Sequence, residues 1–300
     1  MKYRKLINTD IELSVIGIGT HQFAGGWGKS FLKSDVKNLL DEARNLGINF
    51  LDTAPNYGDH FSEKLIGYGL RSNRDQWIIA TKFGQKLDGN RNNIHDFTAK
   101  NILLQLEKSL KSLKTDYIDI YQFHSGSNDD FVNDDIWEML NKEVEKGKIR
   151  YLGLSIVDSY VKENNLFQIE KMKEKNANIV QVVYNRLNMQ PEDSLIPYCI
   201  KNNINIIARV PLAKGFLSGK YAVNNIFDPN DVRAGYSQES NNKMLMEVEK
   251  IKNNEVPDGI NMAQWSIAWC LKNNAVKAVI PGTKNIGQLK SNAKASLHID

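Results

Sequence analysis

Eight short runs rich in Val and Ile alternate with longer amphipathic stretches along the 300-residue chain, and no composition shift or low-complexity linker interrupts them. These observations predict an α/β fold, a single (β/α)8 TIM barrel with parallel strands as the inner wall and helices outside. A doubly wound sheet is the weaker alternative. Length alone would allow two domains, but α/β barrels reach this size as one unit, so residues 1–300 are read as one domain.

The first dozen residues place Asn8-Thr9-Asp10 between two short alternating runs, the pattern of an N-terminal β-hairpin, which is expected to plug one end of the barrel. Ser14 to Thr20, SVIGIGT, is the first strand. The helix behind it, SDVKNLLDEARNLG, has Ser34 as its expected N-cap and stops at Gly47, a residue suited to the left-handed C′ position. Strands two to four are Ile48 to Asp52, Trp77 to Lys82 and Tyr117 to His124, with helices at Ser62 to Leu70, Thr98 to Leu113 and Asp134 to Lys146. Strands five to seven are Arg150 to Ser155, Ile179 to Tyr184 and Ile204 to Val210, separated by helices at Ser159 to Lys175 and Asp193 to Asn202. Before strand eight, Val276 to Pro281, come an aperiodic loop from Gly219 to about Asn242, an extra helix from Met244 to Ile251 and the apolar helix Met262 to Leu271. Ile286 to Ala295 is the last helix.

Lys and Arg number 39 against 35 Asp and Glu, a net charge of +4 without a basic block, so neither nucleic acid nor a membrane surface is an expected partner. No run approaches the ~18 apolar residues of a membrane span, and the start MKYRKLINTD has no apolar stretch behind its basic residues. Cys199 and Cys270 sit in apolar helical stretches and form no CxxC pair, which fits buried thiols in a reducing cytoplasm. The five histidines have no spacing that would set two on one helix face, so no metal site is expected.

Two phosphate-binding patterns fall short. After the first strand, Gly17-Ile18-Gly19 leads to Gln22 where a Rossmann fingerprint needs its third glycine. Gly28-Lys29-Ser30 lacks the first P-loop glycine because Phe23 stands there, and the stretch from Gly215 to Lys220 is one residue short.

The strand ends carry more, since barrel chemistry sits at the C-terminal mouth. Strands two, three and four end in Asp52, Lys82 and His124, and Tyr57 follows Asp52 in the next loop. Taken singly, Asp52 could cap a turn, Tyr57 could pack at the rim and His124 could be a core histidine; four at one mouth point to chemistry. An ammonium beside a phenol makes it a better proton donor, Asp52 would keep Lys82 charged and oriented, and a neutral His124 would bond a carbonyl oxygen. The set suits protonation of a carbonyl oxygen as a hydride reaches carbon, and the hydride requires a nicotinamide. Phe23 and Trp27, after the first strand, are candidate substrate contacts, whereas His21 and His60 are assigned to loops without a role.

The segment Leu51-Asp52-Thr53-Ala54-Pro55-Asn56-Tyr57-Gly58, then Thr81-Lys82 and LEKSLKSLKTDYIDIYQFH from Leu106 to His124, resembles the motifs of the aldo-keto reductases. The likeness runs from Gly17 to the NAKA near the C-terminus. It implies a (β/α)8 barrel and makes Asp52, Tyr57, Lys82 and His124 the family's catalytic tetrad. It also implies that Ser155 and Gln181 hold the nicotinamide carboxamide, with Ile156 where the family often has Asn. Arg209, Pro211, Leu212, Lys214, Gly215 and Leu217 would follow the nicotinamide and pyrophosphate, and Gly282, Thr283, Lys284, Gln288 and Asn292 would form the adenosine pocket. Gln288 and Asn292, four apart, share a helix face; Gly282 and Thr283 precede a helix N-terminus, a natural anion site. Lys284 beside a 2′-phosphate would favour NADPH (NADP+) over NADH. The loop after Gly219 is the expected lid, and the short chain end implies an open pocket.

The expected function is NADPH-dependent reduction of a small aldehyde or ketone, with Tyr57 as general acid. One alternative is an aldolase-like barrel with Lys82 as Schiff-base nucleophile, which the neighbouring Asp52 disfavours. The other is a nicotinamide-binding regulatory subunit, because the resemblance extends to potassium-channel β subunits.

Overall fold

A computed structural model describes residues 1–25, 27–163, 165–229 and 231–299, with the side chains of all but 71, 72 and 162. The chain opens with an antiparallel hairpin, β1 (Tyr3–Lys5) and β2 (Glu12–Ser14). The barrel strands β3 (Ile18–Gly19), β4 (Phe50–Asp52) and β5 (Ile78–Phe83) come next, then a small outlying hairpin of β6 (Gln85–Leu87) and β7 (Asn93–His95). The barrel resumes with β8 (Ile118–His124), β9 (Ile149–Ser155), β10 (Ala177–Val183), β11 (Asn205–Arg209) and β12 (Val276–Ile280). All eight barrel strands pair in parallel in chain order. The ring shuts where the β3 segment meets β12: Ile16 bridges Val279, Gly19 bridges Gly282, and the Gly17 N–H donates to the Val279 carbonyl at 2.8 Å. A side chain would not fit at Gly19 in this seam, since a Cβ there would stand 2.8 Å from the Ile280 carbonyl oxygen.

Outside the strands run α1 (Lys33–Asn45), α2 (Phe61–Leu70), α3 (Ala99–Leu113), α4 (Asn128–Val132), α5 (Asp134–Glu145) and α6 (Asp158–Lys162). They are followed by α7 (Phe167–Lys171), α8 (Leu195–Lys201), α9 (Gln238–Asn254), α10 (Met262–Leu271) and α11 (Ile286–Lys294). In α1 the buried set Val36, Leu39, Leu40 and Ala43 recurs at helical spacing and faces the strands. No helix among the described residues is long and apolar enough to cross a membrane.

Several boundaries differ from expectation, each for a local reason. Leu32, not Ser34, is the N-cap of α1, because the Asp35 carboxylate accepts from the Leu32 N–H at 2.9 Å. The predicted helix from Ser159 to Lys175 is broken into α6, α7 and a 3-10 turn at Met172–Lys175; the Asn165 side chain accepts from the Phe167 N–H at 3.2 Å and starts α7 afresh. The extra helix α9 begins earlier than Met244, at a Ser237 cap that accepts from the Ser240 N–H at 3.1 Å. Its start is polar, with Gln238 to Ser240 exposed and the buried Asn241 carrying no apolar signal, so apolar spacing did not reveal it.

The barrel interior holds Phe50, Ala80, Ile120, Ile179, Ile207 and Ala278 packed against Leu6, Ile11 and Leu13 of the hairpin segment. The hairpin thus plugs the floor. Asn205 secures it, accepting from the Ile7 N–H at 2.7 Å and donating to the Ile7 carbonyl at 3.1 Å. A larger apolar layer lies between strands and helices.

Candidate active site

Successive side chains of a strand point to opposite faces, so each interior apolar residue is followed two positions later by another interior group. After Ala278 this group is Ile280, but after the other five it is polar: Asp52 after Phe50, Lys82 after Ala80, Gln122 and then His124 after Ile120, Gln181 after Ile179, and Arg209 after Ile207. This polar layer floors a cleft of about 740 Å³, lined there by Asp52, His124, Gln181, Arg209 and, from the loop after β4, Tyr57. That volume suits a small-molecule site.

Lys82 lies just beneath the floor and is fully buried. Its Nζ donates to Asp52 Oδ1 at 2.7 Å and to the Thr53 carbonyl at 2.9 Å. Asp52 Oδ2 accepts from Gln181 Nε2 at 2.6 Å and Gln122 Nε2 at 3.2 Å. Burial alone would lower the Lys82 pKa, but Asp52 and then Tyr57 outweigh it and hold the ammonium above its ordinary value. Nζ is 5.2 Å from the Tyr57 ring centre. An amine nucleophile needs the opposite shift, so the geometry argues against a Schiff-base role for Lys82.

The Tyr57 ring stands edge-on to two imidazoles, His124 at 6.5 Å and His21 at 4.7 Å between ring centres. Burial, then the Lys82 and Arg209 charges, pushes His124 well below its ordinary value, so the ring is neutral near pH 7. Its Nδ1 is buried without a partner among the described residues. An orphaned N–H is a rarer defect than an orphaned acceptor, which places the proton on Nε2.

Four residues given site roles from sequence do not line the cleft. Phe23 is fully buried in the core, its ring 4.9 Å from that of Phe31. Leu217 is fully buried in the cluster of Phe216, Leu245 and Trp265 beneath the loop after β11. Ser155 donates to Gln181 Oε1 at 3.4 Å and Thr283 donates to the Asn285 carbonyl at 3.1 Å. None of these four lines the cleft, whereas Trp27 does. His21, given no role from sequence, also lines it, with Nδ1 accepting from Trp27 Nε1 at 3.0 Å. Its position directly after a barrel strand was the available signal. Gln122 was missed too, although it sits two residues before His124 on the same strand face. His60 is buried against Glu63, 2.5 Å from its carboxylate.

From the floor the cleft runs past Pro211, Leu212, Lys214 and Gly215 to Gly282, Lys284, Gln288 and Asn292. The turn after β11 is strained: the β-branched Val210 has φ +57°, and Ala213 and Lys214 follow at +46° and +56°. Asn185 Nδ2 holds the Val210 carbonyl at 3.0 Å. Arg209 Nη2 donates to the Ile156 carbonyl at 3.1 Å, while its Nε is buried without a partner among the described residues.

At the far end, Lys284 Nζ donates to the Trp27 carbonyl, and Gln288 Oε1 accepts from the Lys284 N–H at 2.8 Å. Burial, then the charges of Arg233 and Lys220, pushes the Lys284 ammonium below its ordinary value against the pull of Asp231. Arg233 is gripped by both Asp231 oxygens at 2.8 and 2.6 Å, with its guanidinium over the Tyr221 and Phe227 rings. A long cleft with an unpaired Arg209 donor near its floor and crowded cations at its end fits a phosphate-bearing dinucleotide.

The sequence model of the aldo/keto reductase family matches residues 15–300. The aldo-keto reductase yakc of Schizosaccharomyces pombe (strain 972 / ATCC 24843), named with NADP(+), is 32% identical over 302 residues, covering 96% of this chain and 85% of the relative. An NADH-specific methylglyoxal reductase of Escherichia coli (strain K12) is 28% identical over 313 residues, covering 98% of this chain and 93% of the relative. Among solved structures, the holo form of a Bacillus halodurans aldo-keto reductase matches with TM-score 0.81 at 27% identity, over 99% of this chain and 91% of that one. The chain belongs to the aldo/keto reductase family, NAD(P)H-dependent oxidoreductases that act on small carbonyl compounds.

Proposed function

We propose that the chain uses NADPH to reduce an aldehyde or ketone to an alcohol, with Tyr57 as the proton donor. The reading is carried by the buried Asp52–Lys82 pair set beside Tyr57 and a neutral His124 at the floor of the cleft. A bound nicotinamide supplies the hydride to the carbonyl carbon. Lys82 stays an ammonium and meets the negative charge that grows on the Tyr57 oxygen as its proton leaves. Asp52, held by Gln122 and Gln181, keeps that ammonium in place. His124 donates its Nε2–H to the carbonyl oxygen and orients it toward the phenol.

Gln181 and Arg209 would face the nicotinamide, the backbone from Pro211 to Gly215 the pyrophosphate, and Gln288 and Asn292 the adenine. The cation cluster of Lys284, Lys220 and Arg233 supports a 2′-phosphate and hence NADPH, and the loop carrying Tyr221 and Arg233 would cover the cofactor. Tyr57→Phe tests the reading: turnover of a carbonyl panel falls about 10²–10⁴-fold while NADPH binding, followed by fluorescence, stays nearly intact. Unchanged aldehyde reduction in the variant would sink it. Tight NADPH binding with no turnover in the wild-type protein would favour the regulatory-subunit reading instead.

A further inference from the structure

We infer that His21 is a second substrate-binding donor, and that it directs the enzyme toward small carbonyl compounds carrying an oxygen on the carbon next to the carbonyl. The inference rests on the reductase reading and concerns which carbonyl is taken.

The argument starts from a count of donors and lone pairs. A carbonyl oxygen has two lone pairs. In the proposed arrangement the Tyr57 O–H takes one and the His124 Nε2–H the other. Yet the Tyr57 ring has a second imidazole beside it, and His21 lies closer to it than His124 does, 4.7 against 6.5 Å between ring centres. The protonated nitrogen of His21 is fixed by its surroundings. The Trp27 indole can only donate, and its N–H points at His21 Nδ1 across 3.0 Å. That leaves Nε2 carrying the hydrogen. Nε2 has no hydrogen-bond partner among the described residues, on a side chain that lines the cleft. Burial in the cleft and the Lys82 charge disfavour a second proton on the ring, which would in any case set an Nδ1–H against the indole donor.

A simple aliphatic aldehyde gives this third donor nothing to bond. The two oxygens of a 1,2-dioxygenated compound are separated by roughly 3 Å, about the length of a hydrogen bond, so one can meet Tyr57 and His124 while the other reaches the adjacent imidazole. Hydroxyaldehydes and 1,2-dicarbonyls have this chemistry. A site that bonds a second oxygen discriminates against the analogue lacking it, because bound substrate takes the exposed His21 N–H out of water and the analogue offers it no acceptor in exchange.

Glyceraldehyde and propanal, each reduced with NADPH, provide the test through the ratio of their kcat/KM values. Hydration of the aldehydes cancels when variants are compared in one buffer. His21→Phe, which keeps a ring and removes the donor, lowers the glyceraldehyde-to-propanal ratio about tenfold, the equivalent of about 1.4 kcal/mol. His21→Gln, which restores an N–H, recovers at least threefold of that loss. Trp27→Phe leaves His21 in place but frees its tautomer, and lowers the ratio by about threefold. A His21→Phe variant that loses activity equally on both aldehydes overturns the assignment while leaving carbonyl reduction standing; so does an unchanged ratio. Wild-type protein that reduces neither aldehyde but turns over other members of the carbonyl panel overturns the His21 assignment alone, and wild-type protein that reduces no carbonyl of the panel overturns the reductase reading with it.

Discussion

Removing one partner of the Asp52–Lys82 pair should destabilise the protein more than removing both. In Lys82→Met the buried Asp52 carboxylate keeps only two amide donors, Gln181 at 2.6 Å and Gln122 at 3.2 Å. In Asp52→Asn the buried ammonium keeps the Thr53 carbonyl at 2.9 Å and loses its counter-charge. Breaking one side of a buried ion pair costs about 3–5 kcal/mol, a large part of a total stability on the order of 5–15 kcal/mol. At roughly 2 °C per kcal/mol for a domain of this size, each single variant should unfold about 6–10 °C below wild type. The double variant Asp52→Asn/Lys82→Met buries no charge at this position and should lose less than either single one, a coupling that neighbouring residues in one network are expected to show. Thermal unfolding followed by circular dichroism at pH 7 reads all four proteins. Single-variant losses under about 2 °C, or a double-variant loss equal to the sum of the singles, would show that the pair is not held in a water-excluded floor. The explanation of why Lys82 stays charged would then fail.

Two further predictions concern the ends of the cleft. Lys284→Met should weaken NADPH about tenfold, or ~1.4 kcal/mol, and NADH far less; equal weakening of both in a fluorescence titration would remove the 2′-phosphate contact. The depressed pKa of His124, below its ordinary 6.5, has a definite sign in the stability of the fold. As pH falls through about 6.5 the unfolded chain binds a proton that the folded ring refuses, so stability is full above that pH and declines below it by up to about 1.4 kcal/mol per unit. The decline stops once the folded ring also protonates. His21, lowered in the same direction, adds to the wild-type slope. Urea unfolding between pH 6.5 and 5 should therefore show a shallower decline for His124→Gln than for wild type, and equal slopes would contradict a buried neutral imidazole.

How much of this was legible beforehand depended on whether the signal was periodic. Apolar alternation revealed all eight barrel strands, and the rule that chemistry gathers at strand ends located Asp52, Lys82 and His124. The same rule applied to the first strand would have reached His21, and period two along β8 would have reached Gln122. Phe23 and Trp27 could not be told apart, because an aromatic in a loop after a strand looks alike whether it lines a cleft or packs beneath it; the Phe31 contact is what sets Phe23 in the core. Val210 in the left-handed region and the grip of Asp231 on Arg233 left no local trace, since each is imposed by packing from distant parts of the chain. The early turns of α9 were invisible for the opposite reason, having little buried apolar surface to pattern.

The glycine seam has a consequence for the life of the molecule before it meets any substrate. During synthesis the β3 edge must wait with unpaired backbone groups until nearly the whole chain has emerged, because its second neighbour is β12. The cleft straddles that same join, with Gly19 and Gln22 on one side and Ile280 and Gly282 on the other. Anything bound across it acts as a clasp on the last closure of the ring, stabilising the folded form in proportion to the logarithm of its concentration over its Kd. Cofactor supply would then govern how long the barrel stays shut as well as how fast it turns over.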